Sequence, residues 1–343
     1  MARRVTTGEH PVSMEKWTVH GGRLDHARSA FPDALMPWLD LSTGINPNGW
    51  DAAKAGPIDW RALPDPGALT GLEEAAAAHF GVAPSDVCAL PGSELGLRLL
   101  PMLDLPAPFR HVAPAYATHG EALPDSRAIP ADALLDETRQ GGTILIANPN
   151  NPDGRLLRPE DLLAVAESLA VRGGWLIVDE AFADAAPAAS VLPHVAAGAN
   201  ILVLRSFGKF FGLAGVRLGF LTGAPDRLAP LRQRLGSWPL SAAAISIGAA
   251  AYRDREWIAA TRRGLEERAA LLDAMLHRHG FDPIGNCPLF RLLDVDNAPE
   301  LFFRLAQQGI LTRPFDHQPR WLRLGVPGDD EALARLERAL THG

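Results

Sequence analysis

Ser206-Phe-Gly-Lys-Phe-Phe-Gly-Leu-Ala-Gly-Val-Arg217 is the stretch on which the fold of this chain turns. Ahead of it, Asn200-Ile-Leu-Val-Leu-Arg205 is an apolar, β-branched run that predicts a buried strand. Behind it, Val216-Arg-Leu-Gly-Phe-Leu-Thr222 alternates and predicts another. Lys209 lies between them among Gly208, Gly212 and Gly215, and the chain has only two other lysines, Lys16 and Lys54. An ammonium in such apolar surroundings is costly unless its charge is neutralised or used. Burial lowers an amine's pKa and makes it a nucleophile toward an aldehyde. Taken alone, the stretch also fits a strand, a turn and a second strand, with the lysine reaching for solvent.

Working outward, the segments alternate in type. Val87-Cys-Ala-Leu90 predicts a strand, then Pro91-Gly92-Ser93-Glu94 leads into a helical run from Leu95 to Leu103. Thr143-Ile-Leu-Ile-Ala147 predicts a strand that runs into Asn148-Pro-Asn-Asn-Pro-Asp-Gly154. A helix over 159–172 follows, then the strand Gly174-Trp-Leu-Ile-Val178, closed by Asp179-Glu180. Strands alternating with helices at this spacing predict a parallel α/β sheet. Ligands of such sheets bind beyond the carboxyl ends of the strands, where Asn151, Asp179 and Lys209 all fall. Another helix is expected from Thr70, as cap, to Gly81. After Gly223, helices are expected over 225–235 and 241–280, the second broken near Asp254. Strands at Phe290–Asp294 and Trp321–Gly325 and a closing helix over 329–341 then predict a smaller α+β domain.

The 343 residues, about half of them apolar, suffice for one large and one smaller domain. A net charge of −7 without a basic run argues against a nucleic-acid partner. No apolar stretch approaches the roughly 18 residues needed to span a bilayer. The first ten residues lack the apolar region of a secretory signal, and two cysteines, Cys88 and Cys287, make no disulfide framework. A reduced, cytoplasmic protein is expected.

Ser206, Lys209 and Arg217 together resemble the S-x-x-K-x7-R signature of fold-type I pyridoxal-phosphate (PLP) enzymes. The resemblance implies that Lys209 is the catalytic residue, bonded to the cofactor aldehyde, and that Ser206 and Arg217 hold the cofactor phosphate. The backbone N–H groups of Ser93 and Glu94 join them there. Asp179-Glu-Ala resembles the motif whose aspartate keeps the pyridine nitrogen protonated. Asn151 matches the asparagine that holds the phenolic oxygen, and Tyr116 stands where an aromatic covers the ring. Read singly, Asp179 is also a strand end, Asn151 a turn residue and Tyr116 a core aromatic. Phe182 and Leu63 depart from the commoner pattern, since many relatives carry tyrosine at both positions. The implied fold is a large, mostly parallel α/β/α sheet domain at 41–230 and a small α+β domain at 231–343. An arm at 1–40 packs with the small domain, and the whole forms a homodimer.

His20-Gly-Gly and Asp40-Leu-Ser-Thr-Gly-Ile-Asn-Pro47 are similar to the H-G-G…D-x-S-x-x-I-N-P pattern of threonine-phosphate decarboxylases of cobalamin synthesis. That resemblance implies a small phosphorylated amino-acid substrate, L-threonine O-3-phosphate, held by His20, Asn46, Arg313 and Arg323. Arg323 would take the carboxylate and Arg313 the phosphate. An aminotransferase of the histidinol-phosphate type uses the same ring and lysine and stays open as the alternative. A catalytically silent PLP-binding regulator is a third, and no DNA-binding segment is attached to support it.

Overall fold

A computed structural model describes residues 14–18, 20–196 and 198–341. Its strands, in chain order, are β1 (Leu39–Asp40), β2 (Val87–Leu90), β3 (Phe109–Val112), β4 (Arg127–Ile129), β5 (Thr143–Ala147) and β6 (Trp175–Glu180). They continue as β7 (Ile201–Ser206), β8 (Gly219–Thr222), β9 (Phe290–Asp294), β10 (Ile310–Leu311), β11 (Arg313–Pro314) and β12 (Trp321–Gly325).

Seven strands form one sheet in the order β2-β8-β7-β6-β5-β3-β4. The pairs β3–β4, β3–β5, β5–β6 and β6–β7 are parallel, and β8 is antiparallel to both neighbours. Every residue of β5 and β6 is buried. Strands covered on both faces read as continuous apolar runs, which is why they were legible as strands. The helices Pro66–Phe80, Pro159–Ala170 and Ala242–Arg253 pack their apolar stripes into the core on one side, while Leu97, Leu100 and Leu228 belong to the apolar cluster on the other.

A second sheet, β11-β12-β9, is antiparallel and follows the long helix Arg255–Arg278. The break near Asp254 is present: that residue ends one helix and caps the next, its carboxylate accepting from Trp257 N–H at 3.1 Å. Trp17, Ala27 and Leu41 pack into the same apolar cluster as Leu293, Phe302, Leu324 and Leu336. The N-terminal segment is therefore built into the C-terminal part of the chain. Of the arm expected before His20, residues 1–13 lie outside the described residues, and Glu15–Thr18 is a helical turn.

Several local expectations are corrected. The helix expected to start at Thr70 starts at Pro66, because Asp65 caps it through Gly67 N–H at 2.6 Å and Pro66 occupies its first position. Thr70 sits inside the helix and bonds back to Pro66 O at 3.2 Å. The strand expected from Val216 begins only at Gly219, since Arg217 takes a left-handed conformation at φ 56. Between the strands, Phe207–Phe210 is a helical turn. Apart from these corrections, β1 pairs in parallel with β10, outside the large sheet.

Candidate active site

A cavity of about 440 Å³ opens at the carboxyl edge of the large sheet, within the size range of small-molecule sites. His20, Ser93, Glu94, Tyr116, Asn151, Asp179, Ser206, Lys209, Arg217, Arg313 and Arg323 all line it. Their sequence separation is large, so only the folded chain brings them together. Asn148 follows β5, Asp179 is next to last in β6 and Ser206 ends β7, and the register pairs Ala147 with Asp179 and Asp179 with Leu204.

Lys209 projects into this cavity from the turn after β7, its Nζ 5.8 Å from the centre of the Phe182 ring. Burial, reinforced by the positive charges of Arg323 and Arg217, lowers its pKa to about 8 against the pull of Asp179. A substantial fraction of this amine is therefore neutral near pH 8, which is what nucleophilic attack requires.

Asp179 is 6% exposed and is the penultimate residue of β6, not one past its end. Its Oδ1 accepts from Ala181 N–H at 3.0 Å, and its Oδ2 lies 2.9 Å from His119 Nε2. His119 is fully buried. It was missed in the sequence because nothing ties a lone histidine in Ala117-Thr-His-Gly120 to a carboxylate 60 residues on. Its ring lies edge-on to Tyr116 at 6.2 Å.

At the other end of the cavity, Gly92 takes φ +94, and a Cβ there would stand 2.7 Å from Arg217 Nη2. Glycine thus lets the backbone ahead of Ser93 lie directly against a guanidinium, leaving the first amides of the Ser93–Leu99 helix beside a positive charge. Such a cup suits an anion.

The second sheet supplies the remaining wall. Arg313 and Arg323 are directly paired in register across β11 and β12. Arg323, 7% exposed, donates through Nη1 to Asn151 Oδ1 and through Nη2 to Ser42 O at 2.9 Å. Its guanidinium lies over the Phe290 ring at 5.0 Å. Arg313 donates through Nη2 to Thr18 O at 3.0 Å. Burial lowers the pKa of Arg313 to about 10, and burial with the charge of Arg313 lowers that of Arg323 to about 9. Two guanidiniums set side by side on one cavity wall suit an anion.

Asn46 is placed differently from its expected role. It is buried behind the cavity wall, donating through Nδ2 to Phe210 O at 2.9 Å, while its own N–H bonds Lys209 O at 2.9 Å. Its amide is spent on backbone, so it buttresses the turn that carries Lys209.

A mostly parallel sheet that turns an amine and a carboxylate into a cavity, faced by a second sheet bearing paired arginines, defines a class of α/β enzyme. The chain belongs to the family described as aminotransferase class I and II, whose model matches residues 116–340. It is 41% identical over 334 residues to a threonine-phosphate decarboxylase of Sinorhizobium sp., covering 94% of this chain and 97% of that protein. It is 39% identical over 328 residues to a threonine-phosphate decarboxylase of Pseudomonas aeruginosa, with 94% and 96% covered. In fold it is similar to histidinol-phosphate aminotransferase from Sinorhizobium meliloti in complex with pyridoxal-5'-phosphate. That likeness has a TM-score of 0.80 at 19% identity and covers 97% of each chain.

Proposed function

We propose that the chain is a PLP-dependent threonine-phosphate decarboxylase, converting L-threonine O-3-phosphate to (R)-1-aminopropan-2-yl phosphate in cobalamin synthesis. The observation that carries this reading is the pair of guanidiniums, half-buried Arg313 and buried Arg323, facing the same cavity as Lys209 and Asp179. They match a substrate with two anionic ends, a carboxylate and a phosphate.

The residues present fit the cofactor. The Gly92 cup, with the Ser93 and Glu94 amides, Ser206 and Arg217, would hold its phosphate. Asp179 would hold a proton at the pyridine nitrogen. Asn151, whose Oδ1 is taken by Arg323, keeps its NH2 group as donor to the phenolic oxygen. Tyr116 would cover the ring, and Phe182 supplies an apolar wall where many relatives have tyrosine. When bound, PLP supplies an electron-accepting ring that stabilises the charge left at Cα as carbon dioxide departs.

The chain's own groups do the rest. Arg323 orients the substrate carboxylate, and the planar fork suits a bidentate grip. A grip that were too tight would stabilise the ground state. The two bonds of Arg323 to Asn151 and Ser42 hold its fork in place and occupy both terminal nitrogens in part. Arg313 and His20 take the phosphate. Lys209 Nζ, with its lowered pKa, returns a proton to Cα.

The protein acts as a homodimer in the cytoplasm. Trp60 at 76%, Leu63 at 67% and Trp238 at 57% exposure support an apolar partner surface. Both cysteines are free and buried, and no described helix is long and apolar enough to cross a membrane. The test is incubation of the holoenzyme with threonine phosphate, measuring carbon dioxide and amino transfer to 2-oxoglutarate in parallel. Carbon dioxide release without transfer is expected. Transfer from histidinol phosphate with no carbon dioxide from threonine phosphate would establish the aminotransferase alternative instead.

A further inference from the structure

We infer that Ser42 is a positioning residue for substrate selection: its hydroxyl seats the His20-Gly21-Gly22 loop on the rim of the cavity while its carbonyl aims Arg323. This rests on the reading that His20 and the arginines hold a phosphorylated substrate.

Ser42 is 1% exposed and its polar atoms are all engaged. Its N–H and its Oγ–H both donate to Asp40 Oδ1, at 2.9 and 2.6 Å. Its Oγ accepts from Gly22 N–H at 2.7 Å. Its carbonyl accepts from Arg323 Nη2 at 2.9 Å. The direction of the relay is forced, because a backbone N–H can only donate: the hydroxyl accepts from Gly22 and gives its own proton to Asp40. A Cβ on Gly21 would stand 2.3 Å from Ser42 O, so glycine is what lets the loop lie so close.

The loop is pinned on its other side too. Arg313 Nη2 donates to Thr18 O at 3.0 Å, so Arg313 holds Thr18 while Ser42 holds Gly22. His20, exposed and lining the cavity, lies between the pins. Asp40, the acceptor of the Ser42 hydroxyl, is paired with Leu311 two residues before Arg313. One hydroxyl therefore couples the rim loop to β1, which pairs with β10, the strand that leads into Arg313. Removing it leaves Gly22 N–H without its acceptor and frees the end of the loop next to His20. The loss falls on the phosphate end of the substrate, away from Lys209 and Asp179.

The experiment measures the Kd of inorganic phosphate on the full-length holoenzyme by titration calorimetry, a readout independent of which reaction follows. Ser42→Ala is expected to weaken phosphate about tenfold, the effect of one lost hydrogen bond. In a His20→Ala background the same change is expected to cost less than about twofold, because the group it positions is gone. The preference for threonine phosphate over threonine, as a ratio of kcat/KM, should shrink in parallel, mostly through KM. Ser42→Thr keeps a hydroxyl and should restore both. An undiminished Ser42→Ala effect in the His20→Ala background would overturn the inference. So would equal loss on the two substrates, or a threonine variant as impaired as alanine. A wild type that binds phosphate with this coupling yet releases no carbon dioxide would overturn the decarboxylase reading and leave the role of Ser42 standing.

Discussion

Lys209 and Asp179 face each other across one cavity, and their chemistry sets the sharpest tests. Lys209→Ala should abolish turnover. It should also leave no cofactor attached after borohydride reduction and denaturation, whereas the wild type keeps it. A variant that still retains cofactor through that treatment would remove Lys209 from its role. The lowered pKa has a sign that can be worked out. Charging Lys209 is harder in the folded chain, so its cost to stability is fully present below about 8 and vanishes above the ordinary value of 10.5. Between those values this group makes stability rise with pH. In the cofactor-free protein, the rate of PLP uptake should accordingly rise through pH 8, and a midpoint near 10.5 would contradict the burial argument. Asp179→Asn should fold normally and lose several kcal/mol of transition-state stabilisation, at about 1.4 kcal/mol per tenfold in rate. A rate near that of the wild type would exclude the carboxylate from the chemistry. At this scale most of the site was legible: each candidate cofactor- or substrate-binding residue lines the cavity except Asn46, whose amide is consumed by Phe210 O. His119 was illegible because its meaning is a single contact to Asp179.

Strands β6 and β7 carry Asp179 and Ser206 toward the cavity, and alternation sends Glu180 and Arg205 to the opposite face. There they make a buried network. Arg205 Nη1 donates to Glu180 Oε2 at 2.8 Å and its Nη2 to Asp184, while its guanidinium covers the Phe80 ring at 4.6 Å. Ser190 Oγ–H and Val191 N–H donate to Glu180 at 2.6 and 2.7 Å. Burial would raise the Asp184 carboxyl, but Arg205 and His79 overcome it and hold that group well below the usual range. A one-residue slip of either strand would bury the cavity-facing groups and expose this network, so the ion pairs lock the register. Arg205→Met strands two buried carboxylates and should cost about 3–5 kcal/mol, read as a fall in the midpoint of urea unfolding. A loss below about 1 kcal/mol would show that the network is dispensable. Helix and strand types were readable in these elements because their apolar runs are long. Their boundaries were not, since the start at Pro66 depends on the Asp65 cap and the late start of β8 on the left-handed turn at Arg217.

Over the whole molecule, the large sheet and the β11-β12-β9 sheet meet around the cavity, and the N-terminal segment is packed against the latter through Trp17 and Leu41. Exposed Trp60, Leu63 and Trp238 are expected to be covered in a homodimer. Sedimentation at assay concentration should give twice the 36.8 kDa chain mass. Trp60→Ser combined with Leu63→Ser should weaken association at least tenfold, as burying one large apolar side chain contributes roughly 1.5–3 kcal/mol. A fully active monomer would refute the expectation.

The sequence by itself determined the order of the principal strands and helices, the lysine turn and the identity of most polar residues of the cavity. Those signals are local: apolar runs, turn residues and short motifs are each written within a few positions of one another. What only the tertiary structure decided is made of contacts between distant segments. It joined β1 to β10, set Arg313 beside Arg323, gave Asp179 its histidine and brought Ser42 under the glycine loop. Such pairings depend on how strands align and close, and one-dimensional spacing carries no record of that register.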